Sequence, residues 1–444
     1  MAKTEKIKNI RIQKAVYRGF GLGYLYGKPV FTLHAFPDEK IIAKVRRKGR
    51  KAFRGEMVEV IESPCPHRIQ PPCPHSGICG GCHYQELAYE YQLQLKREIL
   101  EETLTYIGKV ESYPPITINP SPQTFRYRPQ CGFQVQTWEN RLKLGYFRFE
   151  SQDFIPIDDC LLLRPDIIDR IPLIESFLNE HIDLLPNLIY IDFRVKSDGT
   201  QLVLTFGFRD DYPDTGDRIF ALAPQHIPGL SGILFRGWKT ELLIGQGDVE
   251  EKVENNTFVI GAGSFFQNNI YQWAPIQQLI QQKLNIQPDD ILLDLFCGVG
   301  LWSVGVGKNC SYVMGYENNE RSVELAGANA ERNGLSNYYF EVRDLSQGLG
   351  SLPKDPTVII INPPRSGCSR KLMNAIAQIQ AHSIIYISCD PPSLSRDIAR
   401  LCRKGNYTIS SIDFIDMFPQ TFSIETAVLL TPESQYHSSD SLRS

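Results

Sequence analysis

The stretch Asp289-Asp290-Ile291-Leu292-Leu293-Asp294-Leu295-Phe296-Cys297-Gly298-Val299-Gly300 decides how the carboxyl-terminal part of this chain is read. An apolar run from Ile291 to Leu295 stops at a Gly-rich turn, the pattern of a buried strand entering a helix. Gly298 and Gly300 allow a ligand to approach the backbone at that helix N-terminus, though without the spacing of a dinucleotide fingerprint. Downstream the unit repeats. Tyr312–Glu317 ends in an acid and Phe340–Asp344 in another; Val358–Arg365 ends in Asn362-Pro363-Pro364-Arg365, and Ile384–Asp390 in Ser388-Cys389-Asp390. Strand–helix units of this kind build a doubly wound sheet, with the polar residues at the strand ends sharing one crevice. A helix from about Trp273 to Leu284 precedes them. Alone, Cys389 reads either as a small buried hydrophobe or as a reactive thiol, because its surroundings decide the matter.

Working back from there, strands dominate from Phe125 to about Asp248, with one helical segment over Ile167–His181. This is a central, antiparallel-rich α+β domain. Its Phe125-Arg126-Tyr127-Arg128 interleaves aromatics and arginines, which suits bases stacked beside phosphates or equally a solvated strand edge. Gln85–Ile107 reads as a helix, with Leu87, Tyr91, Leu95 and Ile99 at helical spacing. Before it stand Cys65-Pro66-His67 and the Gly/Pro-rich loop Cys73-x5-Cys79-x2-Cys82. Three cysteines so spaced signal a metal, since thiolates ligate both zinc and iron–sulfur clusters. Zinc would take a fourth ligand from Cys65, His67, His75 or His83.

Residues 10–62 alternate short apolar runs with glycines, the signature of a small β-barrel of OB type. Up to Arg54 there are about fifteen Lys/Arg against about three acids. The run Lys44 to Arg54, with Arg46 and Arg47, favours contact with a phosphate backbone, protein contact being the alternative.

With 444 residues the chain exceeds one core, and we divide it into a barrel (1–63), a central domain with its Cys-rich loop (64–265) and a carboxyl-terminal doubly wound domain (266–444). A net charge of −3 excludes a polycation, so any nucleic-acid surface is local. Eleven unevenly spaced cysteines argue for thiols, metal ligands or catalysis rather than a disulfide framework. No apolar run approaches the roughly 20 residues that span a bilayer, and the N-terminus lacks the apolar core of a signal peptide. The expectation is a cytoplasmic protein without membrane contact.

Taken together, these residues resemble the uracil-C5 RNA methyltransferase family, which makes 5-methyluridine. The resemblance is carried by Asn362-Pro363-Pro364-Arg365-Ser366-Gly367, by Tyr386-Ile387-Ser388-Cys389-Asp390-Pro391, and by Asp416-Met417-Phe418-Pro419-Gln420-Thr421-Phe422-Ser423-Ile424-Glu425, and it covers essentially the whole chain. It implies a class I methyltransferase sheet binding S-adenosylmethionine, a TRAM-type RNA-binding barrel, Cys389 as nucleophile and Glu425 as general base. By the same resemblance Gln267, Phe296, Gly298, Gly300, Leu301, Glu317, Asp344 and Asn362 line the cofactor and target-base site. Cys73, Cys79, Cys82 and the remote Cys160 would hold a [4Fe-4S] cluster. The implied substrate is a uridine of large-subunit (23S) rRNA, with the T-loop uridine of tRNA as the alternative; a non-catalytic iron–sulfur RNA-binding protein is a third reading. A monomer without protein partners is expected. Asn362 stands where the family usually has Asp, Ser423 where it has His, Asp390 for Asn and Ser393 for Thr. Leu301 replaces a polar residue, so any cofactor contact there is through its backbone.

Overall fold

The computed structural model describes residues 6–433. Strands β1 (Lys6–Val16), β2 (Phe20–Leu25), β3 (Lys28–Leu33), β4 (Lys40–Lys48) and β5 (Ala52–Glu62) close into a barrel in the order β1-β2-β3-β5-β4. Alternation supplies its core: Ile10, Ile12, Val30, Ile41, Ala43 and Val45 point inward, while Lys44 and Arg46 lie on the outer face. Closure removes the free strand edges that so small a sheet would otherwise expose.

The helix expected over Gln85–Ile107 is observed from Tyr89 to Thr103 and ends in a wider turn over Leu104–Gly108. Strand β6 (Ile116–Asn119) follows. The chain then builds a seven-stranded sheet, β13-β12-β11-β10-β7-β8-β9, from β7 (Gln130–Trp138), β8 (Arg141–Phe147), β9 (Phe154–Pro156), β10 (Leu188–Val195), β11 (Leu202–Phe208), β12 (Leu230–Arg236) and β13 (Glu241–Gly245). Only β11 and β12 run parallel in it. Helices Ile171–Glu180 and Gly216–His226 bury Ile174, Phe177, Ile219 and Ala223 against this sheet. A two-stranded ribbon, β14 (Asp248–Val253) and β15 (Asn256–Gly261), leads out of it.

The third sheet is the expected doubly wound one. Its strands are β16 (Ile291–Leu295), β17 (Tyr312–Glu317), β18 (Tyr338–Val342), β19 (Val358–Ile361), β20 (Ser383–Ser388), β21 (Tyr407–Ile415) and β22 (Glu425–Pro432). They lie in the order β18-β17-β16-β19-β20-β22-β21-β6. The strands from β18 to β20 are parallel, and β22 is antiparallel to both of its neighbours. This is the class I methyltransferase arrangement. Strand order reverses beside β16, and the carboxyl end at such a switch point is where sheets of this kind bind their ligands. Strand β6, which lies within the 64–265 segment, pairs in parallel with β21 and forms the edge of this sheet. Among the described residues, no helix is long and apolar enough to cross a membrane.

Candidate active site

Strand β20 is buried along its whole length, which fixes the position of the thiol just beyond it. Pairing of β20 with β22 ends with Ser388 opposite Thr426, so the next residues outward are Cys389 and Glu425. The register alone therefore makes neighbours of two residues separated by a long stretch of sequence. Glu425 is 3 % exposed, and burial pushes its carboxyl up to about 8, with Arg365 opposing. Burial and the Glu425 charge together push the Cys389 thiol up to about 12; the positive charge of Arg365 acts the other way.

Arg365 is held by the turn that carries it. The amide of Gly367 donates to Pro364 O at 2.8 Å, and Gly367 has φ 72. A Cβ there would meet Arg396, Asp397 and Ser393 of the helix Pro391–Gly405 at 2.5–2.8 Å, so only glycine lets the two segments approach this closely. That helix starts directly after Cys389, with Asp390 Oδ2 accepting from Ser393 N at 2.9 Å as its cap.

The segment leading to Glu425 is clasped from several sides. Asp416 and Lys96 form a fully buried ion pair at 2.7 Å, and Tyr89 donates to Asp416 at 2.9 Å. The amides of His83 and Tyr84 both donate to Gln420 O, at 2.9 and 3.0 Å. The Tyr127 hydroxyl donates to Pro419 O at 3.0 Å, and Gln92 bonds the Gln420 side chain at 2.9 Å. Loss of one partner from a dry pair such as Lys96–Asp416 leaves a buried charge, so the loop is strongly over-determined.

At the β16 end, Phe296 has φ 64 and donates its N–H to Tyr316 O at 2.9 Å. Gly298 has φ 54 and nothing within 4 Å of its Cβ position, so this side of the turn is open. Glu317, the last residue of β17, accepts from Gly298 N at 3.3 Å and from Asn318 N at 2.8 Å. Asp344 is exposed beyond β18, Asn362 follows β19, and Leu301 is packed in the core beside Trp302 and Val304. Beneath the turn, Asp294 receives Ser303 N at 3.2 Å, and burial pushes its carboxyl up to about 7. An open glycine turn ringed by acids at neighbouring strand ends fits an adenosyl ligand with ribose hydroxyls and an amino group to bind. Gln267 is buried in the segment between β15 and the helix Trp273–Leu284; its carbonyl accepts from Trp273 Nε1 at 2.9 Å. Asn269 anchors that segment on Ser121 and on Met417 O, at 3.0 and 3.2 Å.

Cys73, Cys79, Cys82 and Cys160 line one cavity of about 250 Å³, with His75, Arg128 and Tyr146. Of the other residues considered as a fourth ligand, Cys65 packs with Phe36 and Tyr84, His67 stacks on Tyr91, and His83 sits between Phe149 and Phe422. Among the described residues, no three of the four sulfurs fall within 4.8 Å of one another. A single tetrahedral zinc with sulfur ligands at about 2.3 Å would draw them closer than that. Gln85 Nε2 and Gly81 N donate to Cys82 and Cys79 sulfurs at 3.1 and 3.4 Å, bonds that stabilise thiolate charge. Four thiols around one cavity are a donor set that fits an iron–sulfur cluster.

Arg126 and Arg128, read from sequence either as RNA contacts or as a solvated strand edge, lie beside this cavity. Arg126 grips Asp159 with two bonds of 2.8 and 2.9 Å and reaches Cys160 O at 3.1 Å, and Arg128 lines the cavity wall. Lys44, Arg46 and Arg47 remain exposed on the barrel. Lys44 and Arg46 line a groove with Arg148 and Phe149, between barrel and Cys-rich loop. Arg365, Asp294 and Tyr17 carry geometry to which the sequence reading attached no role. The first two stood inside quoted motifs, and an acid within an apolar strand was a visible signal.

Comparison with known proteins agrees with this geometry. The family described as tRNA (Uracil-5-)-methyltransferase matches residues 354–433, and a methyltransferase small domain matches 264–384. An uncharacterized RNA methyltransferase of Listeria innocua is 30% identical over 446 residues, covering 95% of this chain and 96% of its own length. One from Thermotoga maritima is 30% identical over 449 residues, covering 96% and 99%. Among solved structures, Pyrococcus abyssi tRNA (uracil-54, C5)-methyltransferase in complex with S-adenosyl-L-homocysteine superposes with a TM-score of 0.73. It is 23% identical and covers 95% of this chain and 100% of that one, a likeness of fold.

Proposed function

The chain belongs to the uracil-C5 RNA methyltransferase family, and on that footing we propose that Cys389 and Glu425 carry its reaction as nucleophile and base. S-Adenosylmethionine supplies an electrophilic methyl group, and the residues around the Gly298 turn would hold it. C5 of uracil is a weak nucleophile. Addition of the Cys389 thiolate to C6 breaks the C5–C6 double bond and moves its electron pair toward C5 and O4, so that C5 can attack the methyl group, whose bond to the sulfonium sulfur breaks and leaves a neutral thioether. After transfer C5 bears both methyl and hydrogen. Glu425 takes that proton, the C5–C6 double bond re-forms, and the C6–sulfur bond breaks to release the thiolate.

The observation that carries this reading is the β20–β22 register, which sets the thiol beside a buried carboxyl. Burial supplies Glu425 with basicity that an exposed carboxylate lacks, and Arg365 stabilises the thiolate that burial disfavours. The target carbons are enclosed in stacked RNA, so the uridine enters unpaired or flipped. The four cysteines would hold a [4Fe-4S] cluster, which supplies no electrons to a redox-neutral transfer. Its place would be structural: it joins the Cys-rich loop, whose His83 and Tyr84 amides grip Gln420, to the Cys160 segment.

The substrate proposed is a uridine of 23S rRNA, reached by a barrel whose basic strand β4 extends the RNA surface. The T-loop uridine of tRNA is the second reading, favoured by the tRNA substrate named for the structural neighbour. Glu425→Gln tests the mechanism directly. Denaturing gels should show a covalent protein–RNA adduct on a substrate transcript, absent with Cys389→Ala; turnover by Cys389→Ala would overturn the assignment. Mapping 5-methyluridine in rRNA and tRNA from a deletion strain separates the two substrates.

A further inference from the structure

We propose that Glu180, His181 and His226 form a binding site for one divalent transition-metal ion on the central domain. These residues take no part in the sites described above. One donor atom from each lies within 4.8 Å of the other two.

The fold brings them together from two helices. Glu180 ends the helix Ile171–Glu180, His181 is its carboxyl-terminal cap, and His226 is the last residue of the helix Gly216–His226. Two helix C-termini thus converge. Each carries partial negative charge, which favours a cation between them. His226 Nδ1 lies 3.2 Å from Leu222 O, and a carbonyl only accepts, so Nδ1 bears the proton. In the neutral ring this leaves Nε2 with its lone pair, 3.6 Å from Glu180 Oε2. A lone pair facing a carboxylate is unfavourable unless a cation or a proton stands between them. His181 Nε2 is enclosed and has no hydrogen-bond partner among the described residues. The two imidazoles meet edge-on at 5.8 Å, and Phe177 packs against both, at 4.8 and 5.6 Å, which restricts their rotation.

Two imidazoles and one carboxylate suit zinc and its neighbours rather than magnesium or calcium, which take oxygen ligands. Glu180 is largely exposed, which gives an ion entry and leaves a fourth position for water. A bound ion would tie together two helices packed on one face of the seven-stranded sheet, so its effect is on stability.

The test uses the full chain with its cysteine site loaded, and adds Zn²⁺ or Co²⁺. Wild type should take one more equivalent of Zn²⁺ than His181→Ala/His226→Ala and melt at a higher temperature with the ion. Glu180→Gln, a surface change that leaves the core intact, should weaken binding roughly tenfold and decides the matter if the double variant does not fold. Co²⁺ should give d–d bands without thiolate charge transfer, which separates this site from the cysteines. Equal stoichiometry in wild type and variants, or thiolate bands alone, would overturn the proposal and leave a protonated His226–Glu180 ion pair.

Discussion

The hydroxyl of Tyr17, in the barrel, donates a 2.9 Å hydrogen bond to Oδ1 of Asp390, the residue directly after Cys389. The other oxygen of Asp390 caps the following helix, and the Tyr17 ring meets Phe422 edge-on at 5.9 Å. One barrel side chain therefore touches both segments that present Cys389 and Glu425. Tyr17→Phe keeps the ring and removes the bond. Single-turnover methylation should slow by about tenfold, a cost of about 1.4 kcal/mol in the barrier, while RNA retention on filters stays near wild type. Equal losses in binding and rate would instead make Tyr17 an RNA contact.

Arg365 holds the Cys389 thiol down against burial and against the charges of Glu425 and Asp390, which all push it up. Arg365→Ala should move the rising limb of the pH–rate profile to higher pH, with Arg365→Lys falling between the two. An unchanged profile would remove Arg365 from thiolate stabilisation.

Glu425 makes a stability prediction of opposite sign to its catalytic one. Its folded carboxyl lies near 8 against an ordinary 4.5, so between those values the folded state keeps a proton that the unfolded chain has released. Stability attached to this group is present below about pH 4.5 and declines as pH rises toward 8. Glu425→Gln should thus melt a few degrees above wild type near pH 8, with the gap closing near pH 5, by calorimetry.

Cys160→Ser tests the remote ligand. Iron and sulfide per chain, measured on anaerobically purified protein, should fall sharply, and the melting temperature should drop because the Arg126–Asp159 segment loses its anchor. Wild-type protein with one zinc and no iron would exclude the cluster.

Much of the site was legible because its residues sit where the chain switches from apolar strand to turn. Leu295-Phe296, Ile361-Asn362 and Ser388-Cys389 are such switches, and the structure puts each at the carboxyl end of a parallel strand. The partners of Arg126 and Arg128 were not legible because Asp159 and the cysteines come from distant sequence. Tyr17 was illegible for the same reason, its partner lying in another domain. Strand β6 is four residues next to prolines, too short for any period to show, and its place follows from pairing with β21.

That pairing has a consequence for how the chain is made. Ile116 emerges from the ribosome long before its partner Ile412, so this edge of the sheet cannot close until β21 has been synthesised. Barrel and central sheet, built from nearer partners, can fold while translation continues. Until β21 arrives, the backbone groups of β6 stay unpaired, an opening for mispairing with other chains.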